Sequence, residues 1–300
     1  MTLWIPITLA AAFFQTLRFM LQRQLSLGTL SAGGATLARF LYSAPLVAVL
    51  IAIYMALTGQ AWPRFDGTFW GHAAMGGLAQ ILATVATVRL FQARNFAVGI
   101  TFKKTEVMQA VLVGWVILGD LVSVWGFVAI GVGLVGVLLL SAPPGLVRTG
   151  WRDMANKTVG LGLGAGALFA VSGVSYRGAS LSLGLDDPLA RAGLTLAAVT
   201  MMQTVAMLIW LRWRSPGQIS AVWGARRVAV WVGLMSMAGS FCWFTAFTLQ
   251  NAAYVNAIGQ VELVLSALAS VLVFKEKISG REWAGMAVLL GSIVMLVLSI

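Results

Sequence analysis

The chain alternates apolar runs of about twenty residues with short polar breaks. Ten runs fit, at about 3–21, 32–57, 70–90, 96–118, 122–141, 158–180, 188–211, 228–249, 252–274 and 282–300. Each is close to the length a helix needs to cross a bilayer. They are apolar on all sides and lack the alternation of a membrane-barrel strand, so the pattern predicts helices. Pro45 removes an internal hydrogen bond and is expected to kink the second run, whereas Pro188 opens the seventh, where its missing donor costs nothing.

Polar residues inside the runs carry the functional argument. Phe102-Lys103-Lys104-Thr105-Glu106 interrupts the fourth run, with Glu106 about ten residues, or roughly 15 Å of helix, from either end. A carboxylate at that depth is hard to hydrate and calls for a partner or a function. The stretch recurs 156 positions on, where Asn95, Ala97, Glu106, Gly119-Asp120 and Ser123 are matched by Asn251, Ala253, Glu262, Lys275-Glu276 and Ser279. Ala11, Phe13 and Leu25 recur as Ala167, Phe169 and Leu181, Gly77 and Phe91 as Gly233 and Phe247, and Leu37-Ala38-Arg39 as Leu189-Ala190-Arg191 after a shift of four. Two copies of five helices must enter the membrane in opposite senses because five is odd. The expected architecture is an all-α polytopic membrane protein of ten transmembrane helices in two inverted five-helix repeats, 1–145 and 158–300, joined by a basic loop over 146–157.

Composition agrees. Of 300 residues 60% are hydrophobic and 10% charged, with mean hydropathy +0.91, too few charges to cover a protein surface in water. The net charge of +11 could suggest nucleic acid in a soluble chain, but most of it lies in short loops and at span ends, where anionic lipid and the positive-inside rule account for it. Basic residues gather after the odd-numbered runs (Arg23, Arg94, Arg148, Arg152, Lys157, Arg212, Arg214, Arg226, Arg227, Lys275, Lys277, Arg281), which puts both termini outside the cytoplasm of a bacterial inner membrane. No basic region precedes the first run, which reads as a span rather than a signal peptide. The single cysteine, Cys242, excludes an internal disulfide and cysteine-rich metal or iron–sulfur sites, and the lone histidine, His72, is expected to pack at the interface. No cofactor or metal is expected.

The candidate substrate or ion site consists of Arg39, Lys103, Lys104, Glu106, Arg191, Trp243, Tyr254, Asn256, Gln260 and Glu262. Arg39, Arg191, Lys103 and Lys104 can compensate a substrate carboxylate or phosphate. Lys103 and Glu106, three residues apart, can pair on one helix face. Glu262 has no basic neighbour within a turn, so desolvation is expected to let it exchange a proton. Trp243 and Tyr254 offer aromatic walls, and Asn256 and Gln260 offer hydrogen bonds; helix–helix contacts use the same side chains, and Gln15, Gln80 and Gln109 pose the same question. Arg18, Arg89 and Arg177 are expected to snorkel to headgroups. Gly126, Gly131, Gly133 and Gly136, and Gly160 to Gly166 at alternate positions, are expected to let helices approach closely.

Ile117-Leu118-Gly119-Asp120-Leu121-Val122-Ser123, repeated as Val273-Phe274-Lys275-Glu276-Lys277-Ile278-Ser279, resembles the short motif between the last two helices of an EamA-like repeat. Asp120 departs from the usual glutamate and Glu276 keeps it. The chain thereby resembles the ten-helix EamA-like branch of the drug/metabolite transporter superfamily. That resemblance implies a secondary carrier of amino acids, other metabolites or drugs, often proton-driven, with a central cavity near Lys103, Glu106 and Glu262. Because basic residues outnumber acids in the runs, an anionic or zwitterionic metabolite is the expected cargo, with multidrug or organic-cation export as the alternative. A channel would need a continuous polar stripe, and an intramembrane enzyme a converging nucleophile, metal or polar loop. Monomer and homodimer stay equally open.

Overall fold

The computed structural model describes residues 3–28, 30–92, 96–141, 157–274 and 279–299. The expected basic loop apart from Lys157, together with Arg94, Asn95, Lys275, Glu276 and Lys277, lies outside them. Fourteen helices are described: α1 Trp4–Leu27, α2 Ala32–Leu41, α3 Ser43–Thr58, α4 Gly67–Gln92, α5 Phe96–Lys103, α6 Glu106–Leu118, α7 Val124–Ser141, α8 Lys157–Ser182, α9 Pro188–Arg214, α10 Gly217–Gly224, α11 Arg226–Leu249, α12 Ala252–Gly259, α13 Val261–Phe274 and α14 Gly280–Leu298. The protein is an all-α, multi-pass membrane protein. Seven helical segments are long and apolar enough to cross a bilayer: α1, α2 with α3, α4, α8, α9, α11 and α14.

Every predicted run is helical, but three are divided. The second breaks at Tyr42, three residues before Pro45, whose ring nitrogen cannot donate to Leu41. The fourth and ninth break without proline. In the fourth, Lys104 N–H reaches the carbonyls of both Ile100 and Thr101, and Thr105 N–H reaches Phe102. In the ninth, Gln260 N–H reaches Ala257 and Leu263 N–H reaches Gln260. Each is a single turn tightened to i→i−3 bonding, a feature that often marks a hinge. Lys104 and Gln260 are 156 positions apart.

Local chemistry sets the helix ends. Ser123 and Ser279, the repeated serines, each accept a backbone N–H three residues on, from Gly126 and Glu282, and so start α7 and α14. Glu282 completes a capping box by accepting the Ser279 N–H at 2.7 Å. Gly119 ends α6 at φ 69°, a left-handed conformation that favours glycine. Asp187 caps α9 through Leu189 N–H and also accepts from Tyr54 Oη at 2.6 Å and Gln60 Nε2 at 2.7 Å. Burial opposes ionisation of this carboxyl, but the hydrogen bonds from Tyr54, Gln60 and the backbone hold it below the usual carboxylate range.

The most extensive contacts are α4 with α8, α7 with α14, and α1 with α11. At the α7–α14 crossing, a Cβ on Gly136 would lie 2.7 Å from Leu289 N and 3.0 Å from Gly285 O. Gly133 faces Ser292 in the same way, and Gly126 faces Tyr254. Gly131, Gly160 and Gly164 face open space, so only part of the expected glycine stripe serves packing. Gly136→Ala is therefore expected to lower the melting temperature of the purified protein, because two backbones cannot yield, at a cost of about 1–3 kcal/mol. Gly131→Ala should leave it unchanged or raised; equal effects from both substitutions would remove this account of the crossing.

Candidate functional site

Around the breaks at Lys104 and Gln260 the chain concentrates buried charge. Lys103 closes α5, Glu106 is the first residue of α6 and Glu262 the second of α13, so both carboxylates sit at helix N-termini, where the backbone dipole favours negative charge. Lys103 Nζ lies 3.5 Å from Glu106 Oε2, an ion pair without a hydrogen bond, and that oxygen keeps its acceptor capacity. Lys103 also lies 4.6 Å from the centre of the Phe169 ring on α8.

Glu262 is not alone. Lys104, from the other half of the sequence, donates to its Oε1, and Gln15 Nε2 on α1 donates to its Oε2 at 2.5 Å. No basic residue lies within a turn of Glu262 on its own helix; its cation arrives from 158 residues away. Gln15 in turn accepts from Arg18 Nη2 at 3.4 Å, and Arg18 Nη1 donates to Gln22 at 2.7 Å. Arg18 is 3% exposed, with its guanidinium 4.2 Å above Phe19, so it does not snorkel. Arg177, partly exposed near the end of α8, donates to Asp120 at 2.9 Å and to the Phe247 carbonyl at 2.9 Å. Arg89 is exposed.

A cavity of about 50 Å³ lies between these groups, lined among others by Gln15, Arg39, Lys103, Glu106, Trp243 and Asn256. It has room for a few waters or a single small ion. One wall is aromatic: Tyr176 stacks on Phe244 at 4.2 Å, and Trp243 on Phe247 at 5.5 Å. Gln80 accepts from Tyr176 Oη at 2.8 Å and from Gln203 Nε2 at 3.0 Å. A larger void of about 410 Å³ lies elsewhere, between α3, α9 and α11. It is almost wholly apolar and opens beside exposed Leu50 and Leu189, so it offers little polar chemistry.

Of the ten predicted residues, Arg39, Lys103, Glu106, Trp243 and Asn256 line the polar cavity, and Lys104 and Glu262 form the ion pair beside it. Gln260 forms the second break, its Oε1 buried without a partner. Tyr254 and Arg191 are not brought to the cavity lining. Tyr254 Oη accepts from Ser123 N–H at 2.9 Å and packs on Gly126, and Arg191 sits in the first turn of α9. Gln109 donates to Thr105 and Leu163 instead. The residues missed were Arg18, Thr84, Ser172, Tyr176, Gln203, Ser236 and Ser240. A signal existed for some of them: Gln15, Arg18 and Gln22 follow helical spacing, as do Ser236, Ser240, Trp243, Phe244 and Phe247, so each set lies along one helix face.

Among the described residues, four buried cations (Arg18, Arg39, Lys103 and Lys104) accompany two buried carboxylates (Glu106 and Glu262), two more basic groups than acidic ones. No group of three or more metal-ligating side chains occurs among the described residues. The site is a charged pocket between the helices of a polytopic membrane protein. Residues 156–298 match the model of the EamA-like transporter family. A solved crystal structure, titled only as that of a protein, shares the fold, with a TM-score of 0.75 and 14% identity over 99% of this chain and 97% of its own. Comparison with curated proteins gave no match.

Proposed function

We propose that the protein is a secondary active transporter, not an enzyme. It moves a small anionic or zwitterionic metabolite, such as an amino acid, across a bacterial inner membrane by proton-coupled alternating access. Two inverted five-helix repeats, 1–145 and 158–300, rock about the central cavity. The observation that carries the reading is the pair of helix breaks at Lys104 and Gln260, 156 positions apart, each followed within two residues by a buried glutamate. The contact pattern supports it. Under the same offset α1 corresponds to α8 and α4 to α11, so the α1–α11 and α4–α8 pairs exchange with each other, while α7 and α14 pair together. The EamA-like match over 156–298 covers the second repeat of this reading.

The excess of buried positive charge favours a cargo bearing a negative group over an organic cation. A void of about 50 Å³ is too small for a metabolite, so loading requires the halves to part. The distribution of arginine and lysine in the sequence keeps both termini on the outer side. The test is purified protein in liposomes with an imposed pH gradient, screened against labelled amino acids and small organic acids. Saturable uptake that follows the gradient is expected. Unsaturable flux would indicate a channel, and chemical conversion of the solute an enzyme; either result ends the reading.

A further inference from the structure

Arg39 differs from Lys103, the other buried cation lining the cavity. It is 4% exposed, within the α2–α3 membrane span, and its guanidinium meets no carboxylate among the described residues. Its partners are three hydroxyls. Nε donates to Ser236 Oγ at 3.0 Å, Nη1 to Thr84 Oγ1 at 3.0 Å and Nη2 to Ser240 Oγ at 3.3 Å. Each hydroxyl uses a lone pair to accept from arginine, which leaves its own O–H free. None of the three donates to an acceptor among the described residues, whereas Thr87, on the same helix as Thr84, donates to Ala83 O. The result is one full positive charge from α2 with three uncommitted O–H donors around it, drawn from α4 and α11.

Neutral hydrogen bonds satisfy the N–H groups but do not cancel the charge, and a buried ion without a counter-ion is costly in a membrane interior. Hydroxyls that turn their protons inward convert that cost into binding energy for an anion, because charge-assisted bonds are the strong ones. The adjoining void of about 50 Å³, which Arg39 and Ser240 both line, admits a halide or a carboxylate head but not a larger solute. Glu106 and Glu262 cannot act as the missing counter-ion while Lys103 and Lys104 hold them.

We propose that Arg39, Thr84, Ser236 and Ser240 form a binding subsite for a small monovalent anion. Its occupant is either a free inorganic anion such as chloride or the carboxylate of a bound solute. The inference deepens the transport reading and rests on it for the second source only. The test uses the purified full-length protein held in sodium isethionate, a bulky anion. Chloride and, separately, formate replace isethionate at constant ionic strength, and binding is read from the melting temperature and by isothermal titration calorimetry. Saturable binding is expected, weakened more than about tenfold by Arg39→Gln. If that variant fails to fold, Ser236→Ala with Ser240→Ala keeps the guanidinium and should weaken binding in the same sense.

Chloride binding that formate displaces assigns one site to both sources, and formate binding alone assigns it to solute carboxylates. Identical melting and no heat in all three salts overturn the inference, as does full binding in both variants. Anion binding at Arg39 without any solute uptake in liposomes keeps the subsite and removes the carrier. Uptake without anion binding does the reverse.

Discussion

Glu262→Gln with Lys104 left in place is expected to abolish solute uptake and to destabilise the protein together, whereas Lys104→Met with Glu262→Gln should restore the stability and not the uptake. The side chains of Lys104 and Glu262 are 2% and 9% exposed and in direct contact. Removing one member strands a buried charge, at a cost of about 3–5 kcal/mol, while replacing both by neutral groups of similar volume is close to neutral. A structural pair would therefore be dispensable once both charges are gone. A coupling pair would not, because the carboxylate that takes and releases the proton is missing in both variants. Gln15, hydrogen-bonded to the second oxygen of Glu262, links the pair toward the cavity it lines. The measurements are the melting temperature and uptake against pH for the two single variants and the double. A double variant that transports with unaltered dependence on proton concentration would leave Glu262 with packing alone to do.

The contrast between Lys104 and Arg39 explains how much of the site was legible in the sequence. The repeat brought Glu106 and Glu262 forward because identical residues at a fixed offset survive any uncertainty about helix ends. What an offset cannot reveal is which helices of one half touch which helices of the other. Lys104 occupies the position of Gln260 in the repeat, so the sequence offers no reason to look for its partner 158 residues away; the bundle supplies that partner by setting α1, the break between α5 and α6, and α13 around one point. The breaks in the fourth and ninth runs were invisible for a different reason. Neither has a proline, and a turn tightened by one hydrogen bond leaves hydropathy unchanged. Pro45, by contrast, announces the break near Tyr42 through its missing donor. Arg18 was misread because length and charge alone do not say which way a side chain points. It turns inward because a specific acceptor, Gln22, waits there, whereas Arg177 reaches Asp120 in the turn at the end of the bundle.

That second arginine leads to the other large effect. Asp120→Asn is expected to speed labelling of a cysteine placed at Ser172, in a Cys242→Ser background, by about tenfold when an impermeant maleimide is applied from the side of the α6–α7 turn. Asp120 follows the left-handed Gly119, which stops α6 and turns the chain toward α8. There it accepts from Arg177, whose other donor reaches the last turn of α11 at Phe247 O. The same end of the bundle carries Ser123 N–H donating to Tyr254 Oη, and Ser180 bonded to Thr248 at 2.5 Å. The α6–α7 turn is thus tied to α8 and α12, and α8 to α11. In an alternating-access cycle these ties must part when the cavity opens to that side. The Arg177 and Asp120 side chains are 16% and 20% exposed, so solvent screens the pair and the low end of the range for charge-assisted bonds applies, about 1.5 kcal/mol, or roughly tenfold in the population of an open state. Under the repeat offset Arg177 falls opposite Leu21, so the other end of the bundle cannot form the same pair and its opening should be indifferent to the substitution. Labelling from the opposite side serves as the internal control. Equal acceleration from both sides would mean that Asp120→Asn loosens the whole bundle, and no acceleration from either would mean that the ion pair does not hold the cavity shut.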